Sequence, residues 1–124
     1  MIETAAKPIP AEKLSELVVQ GMLEKKAVDV VVMDMRHVKN AIADYFVICS
    51  GNSDSQIDAN SESVEEFVHK SSKQNPWKRE GKNNKEWVLI DYVDVVVHIF
   101  YHEKRQFYAL EELWGDAKMT EISA

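Results

Sequence analysis

The sequence predicts a mixed α/β (α+β) domain in which one β-sheet packs against three helices, in the order αββαβββα. Short, valine-rich apolar runs recur along the chain, and the longer segments between them carry apolar residues at helical spacing. The runs are apolar nearly throughout, which is typical of a sheet covered on both faces. Three helices can cover one face and part of the other, so we expect the remainder to be covered by a second copy or a partner.

The first third of the chain predicts one helix and two strands. Residues 1–9 are expected to form a flexible N-terminal tail, because chain ends are poorly ordered unless something holds them. Pro10 suits the first position of a helix that runs to about Lys26. Apolar residues repeat along this helix at i, i+3, i+4, i+7 and i+8: Leu14, Leu17, Val18, Gly21 and Met22. Residues 27–35 and 44–50 are strongly apolar and predict the two strands.

A second helix is predicted in the middle of the chain. Ser53, followed three residues later by Gln56, has the spacing of a capping box and marks the start of this helix. The helix should end near Lys73, and its apolar face has four members: Ile57, Val64, Phe67 and Val68. After it, residues 77–80 are expected to form a short edge strand and residues 81–85 a turn.

Residues 86–91 and 94–100 predict two further strands. The apolar runs are separated only by Asp91-Tyr92-Val93-Asp94. Four residues between two β-rich runs indicate a tight hairpin. The acids at both ends of this turn lie beside an otherwise apolar sheet, and such a surface favours a basic protein partner over a small substrate.

Residues 103–114 predict the last helix. Its apolar side chains are expected to point inward: Phe107, Leu110, Leu113 and Trp114. Gly115 is expected to cap its C terminus. The folded domain should therefore extend from residue 10 to residue 115, with residues 116–124 as a flexible C-terminal tail.

Charge and composition exclude several classes of function. The formal net charge is −6, which argues against nonspecific nucleic-acid binding, so no DNA partner is expected. The cations between residues 70 and 85 are explained as a solvated helix end and loop: Lys70, Lys73, Lys78, Arg79, Lys82 and Lys85. The chain contains neither a run of membrane-spanning length nor the apolar segment of a secretory signal near Met1–Pro10, so no membrane association is expected. The single cysteine, Cys49, fits a reducing, cytoplasmic environment.

The titratable residues do not assemble into a recognisable active site. His98 and His102 are four positions apart, but four residues of strand span about 13 Å, which is too far for one metal ion. Asp91 and Asp94 could be compared with the paired acids that hold magnesium in nucleotidyltransferases, but those acids alternate on a strand, and here two turn residues intervene. Cys49 lies in an apolar run and is expected to be inert. We therefore expect no metal, cofactor or small-molecule substrate.

Four blocks of the sequence resemble the ribosomal silencing factor family (RsfS, also called Iojap). They are DYFVICSGNS at 44–53, Glu80-Gly81, Trp87 with Asp91 and DVVVH at 94–98, and RQFYALEELW at 105–114. The resemblance covers about residues 14–115. It implies a small mixed sheet with helices, distantly similar to nucleotidyltransferases but without their catalytic acids. Tyr92 is a departure, since many members carry a smaller residue there, and both tails are this chain's own.

The resemblance implies a repressor of translation that works without catalysis. Members of the family bind the large ribosomal subunit on its ribosomal protein fourteen, keep the small subunit from joining, and lower translation when nutrients are short. Members are commonly homodimers when free. The competing hypothesis is an enzyme related to nucleotidyltransferases that uses nucleotide and magnesium.

Candidate contact residues lie around the predicted hairpin. We expect Asp91, Tyr92, Asp94 and His98 near the contact, and the further candidates are Asp44, Tyr45 and Glu80. The acids would meet lysines or arginines of the partner, and Tyr92 would be an aromatic anchor. The alternative is that Asp91 and Asp94 only cap the hairpin and that His98 is a satisfied core histidine.

Overall fold

The computed structural model of this chain describes residues 9–122. Within them, helices and strands follow one another as α1 (Ala11–Glu24), β1 (Val28–Asp34), β2 (Tyr45–Gly51), α2 (Asp54–Ser72), β3 (Lys78–Glu80), β4 (Trp87–Asp91), β5 (Val95–Tyr101), α3 (His102–Tyr108), α4 (Leu110–Leu113) and β6 (Lys118–Glu121). The predicted mixed α/β class and the first seven predicted elements are confirmed, each boundary lying within about two residues of its prediction.

The strands form one mixed sheet in the order β3-β4-β5-β2-β1-β6. β2 and β5 are parallel neighbours at its centre, with Tyr45 opposite Val95 and Gly51 opposite Tyr101. The other four pairs are antiparallel. β3 is the short edge strand that the sequence predicts, and all of its side chains are exposed.

Helices α1 and α2 cover the first face of the sheet. Their apolar stripes bury Val18, Met22, Ile57 and Val64 against inward residues of β2, β4 and β5. The two helices approach closely at Gly21, where a Cβ atom would stand 2.8 Å from the Cα of Val64. The Ser63 hydroxyl also donates to the Gly21 carbonyl oxygen at 2.6 Å. This face is therefore sealed by long helices, whose buried apolar side chains stabilise the fold.

The second face is covered only in part. Short helices α3 and α4 and the connection between β1 and β2 pack over β1, β2 and β5, burying Phe46, Ile48, Phe100 and Leu110. Trp87 and Leu89 of β4 lie at the edge of this cluster and are only half-buried. The side of the face formed by β3 and β4 thus remains open, as expected from the number of helices.

The prediction of one continuous last helix is wrong. Ala109 adopts a left-handed conformation (φ 48°, ψ 47°) and separates α3 from α4. The break turns α4 so that Leu110 is buried, whereas Phe107 and Leu113 are 74% and 70% exposed and do not point inward. Gly115 does not cap α3, whose C-cap is Ala109, or α4, whose C-cap is Trp114.

The prediction of a flexible tail over residues 116–124 is also wrong for its described part. Residues Lys118–Glu121 form β6, which pairs with β1 through Val32 opposite Thr120 and Met33 opposite Met119. The strand satisfies backbone groups that β1 would otherwise expose at the edge of the sheet. Its side chains are all exposed, so it lacks the apolar run by which strands are recognised in a sequence. Residues 1–8 of the predicted N-terminal tail lie outside the described residues.

Candidate partner-binding surface

Strand alternation divides the candidate contact residues between the two faces. Glu80 pairs with Leu89, and Leu89 pairs with His98, so these three side chains share the second face of the sheet. Tyr45 and Tyr92 lie in the core of the first face and are buried. Tyr92 is therefore not an exposed aromatic anchor, because its ring packs beneath α2 instead of projecting from the hairpin.

The hairpin between β4 and β5 exposes a strained apolar residue at its tip. The Asp94 N–H donates to the Tyr92 carbonyl at 3.0 Å, which closes a γ-turn around Val93. Val93 has a φ of 76°, a conformation that β-branched residues rarely adopt. The Asp91 carboxylate accepts from the Val93 N–H at 2.7 Å and holds the turn in place. The side chain of Val93 is 57% exposed.

Two exposed acids stand side by side next to this tip. The backbone carbonyl of Asp94 accepts hydrogen bonds from the N–H groups of Asp44 at 2.8 Å and Tyr45 at 3.1 Å. These bonds join the hairpin to the start of β2 and bring Asp44 close to Asp94. Both residues are exposed, and Asp91 at the end of β4 is half-buried. The structure thus gathers three of the candidate acids at one end of the sheet.

His98 has the surroundings of a core histidine. It is 3% exposed, and its Nδ1 atom accepts a hydrogen bond from Nε1 of Trp87 at 3.0 Å. The Phe46 ring meets its ring edge-on at a centroid distance of 4.6 Å. Burial lowers the pKa of His98 to about 3, so the imidazole is neutral at physiological pH and carries its proton on Nε2. Nε2 has no hydrogen-bond partner among residues 9–122.

The open part of the second face lies beside this histidine. We call it the open face, and it consists of Glu80, Trp87, Leu89 and Asp91, with Phe107 of α3 at its border. Trp87 connects the two parts, because its ring lies 4.7 Å from that of Tyr108, which in turn contacts the Phe107 ring at 5.1 Å. Three apolar residues outside the sealed core could not be recognised from the sequence: Phe107 and Val93, which are exposed, and Leu89, which is half-buried. A hydrophobic pattern does not distinguish an apolar side chain in the core from one on a contact surface.

The described residues do not form the site that the enzyme hypothesis requires. Asp91 ends β4 and Asp94 follows in the turn, so the two acids do not alternate along one strand, and no group of three or more His, Cys, Asp or Glu side chains within residues 9–122 could hold a metal ion. Asp34 is bound by the Arg36 guanidinium at 2.7 Å, and this hydrogen bond lowers the pKa of Asp34 to about 2. Burial raises the pKa of the Cys49 thiol to about 12, so it is a poor nucleophile. No helix in this part of the chain has the length and apolarity to cross a membrane.

Comparison with known proteins points to one family. The sequence model of the family described as "Ribosomal silencing factor during starvation" matches residues 8–124. The chain is 40% identical over 99 residues to ribosomal silencing factor RsfS of Bacillus subtilis, covering 80% of this chain and 82% of the relative. It is 39% identical over 111 residues to RsfS of Halalkalibacterium halodurans, covering 90% and 93%. Mitochondrial assembly of ribosomal large subunit protein 1 of Mus musculus is 30% identical over 94% of this chain, which spans 56% of that protein.

Solved structures agree with this result. A crystal structure of a Chromobacterium violaceum protein superposes with a TM-score of 0.81 at 26% identity, covering 94% of this chain and 95% of that one. A Bacillus halodurans structure gives a TM-score of 0.75 at 35% identity, covering 90% and 99%. The fold, the extent of the alignments and the family match together show that this chain belongs to the ribosomal silencing factor family.

Proposed function

We propose that this protein binds the large ribosomal subunit through ribosomal protein fourteen and blocks the joining of the small subunit by its bulk. Translation would then fall when nutrients are limiting. The observation that carries the proposal is the acidic end of the sheet, where Asp44 and Asp94 stand exposed next to the apolar tip at Val93. Family membership and the name of the mouse relative, which refers to the large ribosomal subunit, support a ribosomal partner.

The chemistry of this surface suits a basic protein. Carboxylates around an apolar contact attract lysines and arginines, which steers association and excludes acidic partners. Val93 and the open face supply apolar area that a partner can remove from water. We propose Asp44, Asp91, Asp94 and Glu80 as contact residues. The buried side chains of Tyr45, Tyr92 and His98 would act indirectly, by fixing the strands that carry the acids.

Steric blocking requires occupancy and no chemical step. We therefore propose that the protein is not an enzyme and needs no metal or cofactor. Because its target is the ribosome, we place it in the cytoplasm. A nucleotide-dependent rise in the midpoint of thermal unfolding would favour the competing nucleotidyltransferase hypothesis, since any ligand that binds the folded state stabilises it.

Sucrose-gradient sedimentation with separated ribosomal subunits tests the proposal. Purified protein should sediment with the large subunit and not with the small one, and it should reduce the amount of joined ribosome. The proposal fails if the protein stays at the top of the gradient when large subunits are in excess.

We also propose that the free protein is a homodimer of modest affinity. The support is the open face, where Leu89 and Trp87 are only half-buried and Phe107 is exposed. An apolar area of this kind is commonly covered by a second copy. Light scattering should give a dimer mass at high micromolar concentration, and a monomer mass there would refute this assembly.

A further inference from the structure

The edge of the sheet formed by β3 and the following turn differs in charge from the rest of the molecule. The whole chain has a net charge of −6. Residues 77–85 nevertheless carry four cations and a single acid, Glu80. The cations are Lys78, Arg79, Lys82 and Lys85. We call this segment, with Trp77 at its start, the basic edge.

The turn of the basic edge is held in a fixed shape. Gly81 has a φ of 84°, and a Cβ atom there would clash with the Trp87 carbonyl oxygen, so only glycine fits. Asn84 accepts a hydrogen bond from the Glu86 N–H at 3.1 Å through its side-chain oxygen. Beside the turn lies an open groove of about 410 Å³ lined by Arg79, Glu80, Gly81, Lys82, Asn83 and Asn84. The groove therefore presents two cations and two amides, together with one carboxylate, on a preformed backbone.

Acids of α2 orient these cations without neutralising all of them. Glu65 alone accepts both the Arg79 guanidinium, at 2.7 Å from Nε, and the Lys82 ammonium, at 3.3 Å. Asp58 pairs with Lys85 at 2.9 Å. One carboxylate shared by two cations leaves excess positive charge. Lys78 adds to it, since its ammonium is 4.0 Å from the Glu80 carboxylate and is partly exposed.

Trp77 places a large flat ring next to this charge. The side chain is 70% exposed, although the Trp77 N–H is fixed by a hydrogen bond to the Asp91 carbonyl at 2.7 Å. The Lys78 ammonium lies 5.1 Å from the ring centroid. An exposed tryptophan on a fixed backbone, with a lysine ammonium beside its ring, provides a stacking surface for a nucleic-acid base together with a donor for phosphate.

We propose that the basic edge binds an unpaired segment of RNA on the large ribosomal subunit, with a base stacked on Trp77 and phosphates on Lys78 and Lys82. This inference rests on the proposed function, which brings the protein to a particle made of RNA and basic proteins. The excess cations of the basic edge suit phosphate, whereas the exposed acids Asp44 and Asp94 suit a basic protein. The net negative charge makes the RNA contact secondary to the protein contact.

Binding of two variants to purified large subunits and to isolated ribosomal protein fourteen tests the inference. Trp77→Ala should weaken large-subunit binding roughly 10-fold, from the loss of one stacked base. The double variant Lys78→Ala/Lys82→Ala should weaken it as well, and its affinity should fall less steeply with salt, because two phosphate contacts are lost. Both variants should bind isolated ribosomal protein fourteen as the parent does.

The matched control is Lys13→Ala/Lys39→Ala, which makes the same charge change at exposed lysines far from the basic edge in the sequence. It should bind large subunits as the parent does. Unfolding midpoints of all variants show whether the fold is intact. If intact variants bind large subunits like the parent, the RNA contact is refuted. If their affinity for isolated ribosomal protein fourteen falls as much as their affinity for large subunits, the basic edge is a protein contact instead. If the parent itself fails to bind large subunits, the proposed function and this inference fall together.

A photocrosslinker at position 77 distinguishes RNA from protein directly. A variant that carries p-benzoylphenylalanine in place of Trp77 is bound to large subunits and irradiated. The protein should become attached to RNA, and nuclease digestion should reverse the shift in its gel mobility. Attachment only to ribosomal proteins would overturn the inference.

Discussion

The two faces of the sheet differ in how completely helices cover them, and two adjacent residues of β4 show the difference. Ile90 points to the first face and is completely buried beneath long helices. Leu89 points to the second face, where α3 and α4 are short and leave β4 uncovered, and it is half-buried. Both residues stand in the same apolar run and are equally hydrophobic. The comparison indicates that the first face maintains the fold and that the second face, with the acidic end, is available to partners.

The largest expected effect separates the acidic end from the core. Asp94→Lys should weaken binding to the large subunit by several kcal/mol, because it replaces attraction to a basic partner with repulsion. Its free energy of unfolding should change by less than about 1 kcal/mol, because Asp94 supports the fold through its backbone carbonyl and its side chain is exposed.

Glu62→Lys is the matched control for this variant, since Glu62 is an exposed acid on α2 at the opposite face. It should leave large-subunit binding unchanged. If Asp94→Lys does not fold, the acid is structural. If it folds and sediments with large subunits as the parent does, the contact surface lies elsewhere.

The next prediction compares the two faces directly. Ile90→Ala should destabilise the protein by roughly 2–5 kcal/mol, because it leaves a cavity in a sealed core. Leu89→Ala should cost clearly less stability, because solvent already reaches the site, but it should reduce self-association or large-subunit binding. Urea unfolding and light scattering measure the two effects. Equal losses of stability would show that the second face is as tightly packed as the first.

These differences show which features can be predicted from the sequence. The hairpin, the edge strand β3 and the helices α1 and α2 follow from local signals, namely apolar periodicity, turn residues and the Ser53 cap, whose hydroxyl accepts from the Gln56 N–H at 3.2 Å. The break at Ala109 and the strand β6 depend on tertiary contacts. Arg105 donates to the carbonyl of Asp29, to Ser50 and to Glu111, and thereby ties α3 and α4 to the sheet across long stretches of chain.

In the candidate site, the exposure of the acids could be predicted from the sequence, but the burial of the aromatic residue could not. Asp44 and Asp94 are exposed as expected, because charged residues avoid burial. The sequence predicts that Tyr92 is the exposed anchor of the hairpin, but Val93 is exposed instead. The γ-turn directs the tyrosine into the core and the valine into solvent. Backbone conformation at one position decides which side chain is exposed, and a β-branched residue does not reveal that conformation in the sequence.

A pH titration sharpens the assignment of His98 to the core. Its pKa falls from an ordinary value of about 6.5 in the unfolded chain to about 3 in the fold, so the unfolded state binds more protons between these values. His98 should therefore contribute a loss of stability as the pH falls below about 6.5, at up to about 1.4 kcal/mol per pH unit. Stability at higher pH should not depend on it.

His98→Asn tests this slope, because the asparagine side chain cannot titrate and offers an oxygen to Nε1 of Trp87. Urea unfolding at pH 7 and pH 5 should show a smaller difference for the variant than for the parent. An identical difference would mean that His98 takes up its proton in the folded protein, as an exposed histidine does.

The smallest expected effect concerns the strain at the tip of the hairpin. Val93→Gly should raise the free energy of unfolding by about 0.5–1 kcal/mol, because glycine adopts a φ of 76° without the steric cost that valine bears. The gain is limited, since glycine also increases the entropy of the unfolded chain. The same variant removes the exposed apolar side chain, so large-subunit binding should weaken although stability rises.

Val93→Ala is the control, because it removes most of the apolar contact and retains the backbone strain. It should weaken binding without stabilising the fold. If Val93→Gly binds as tightly as the parent, the partner does not use the tip, and the contact is confined to the acids and the open face.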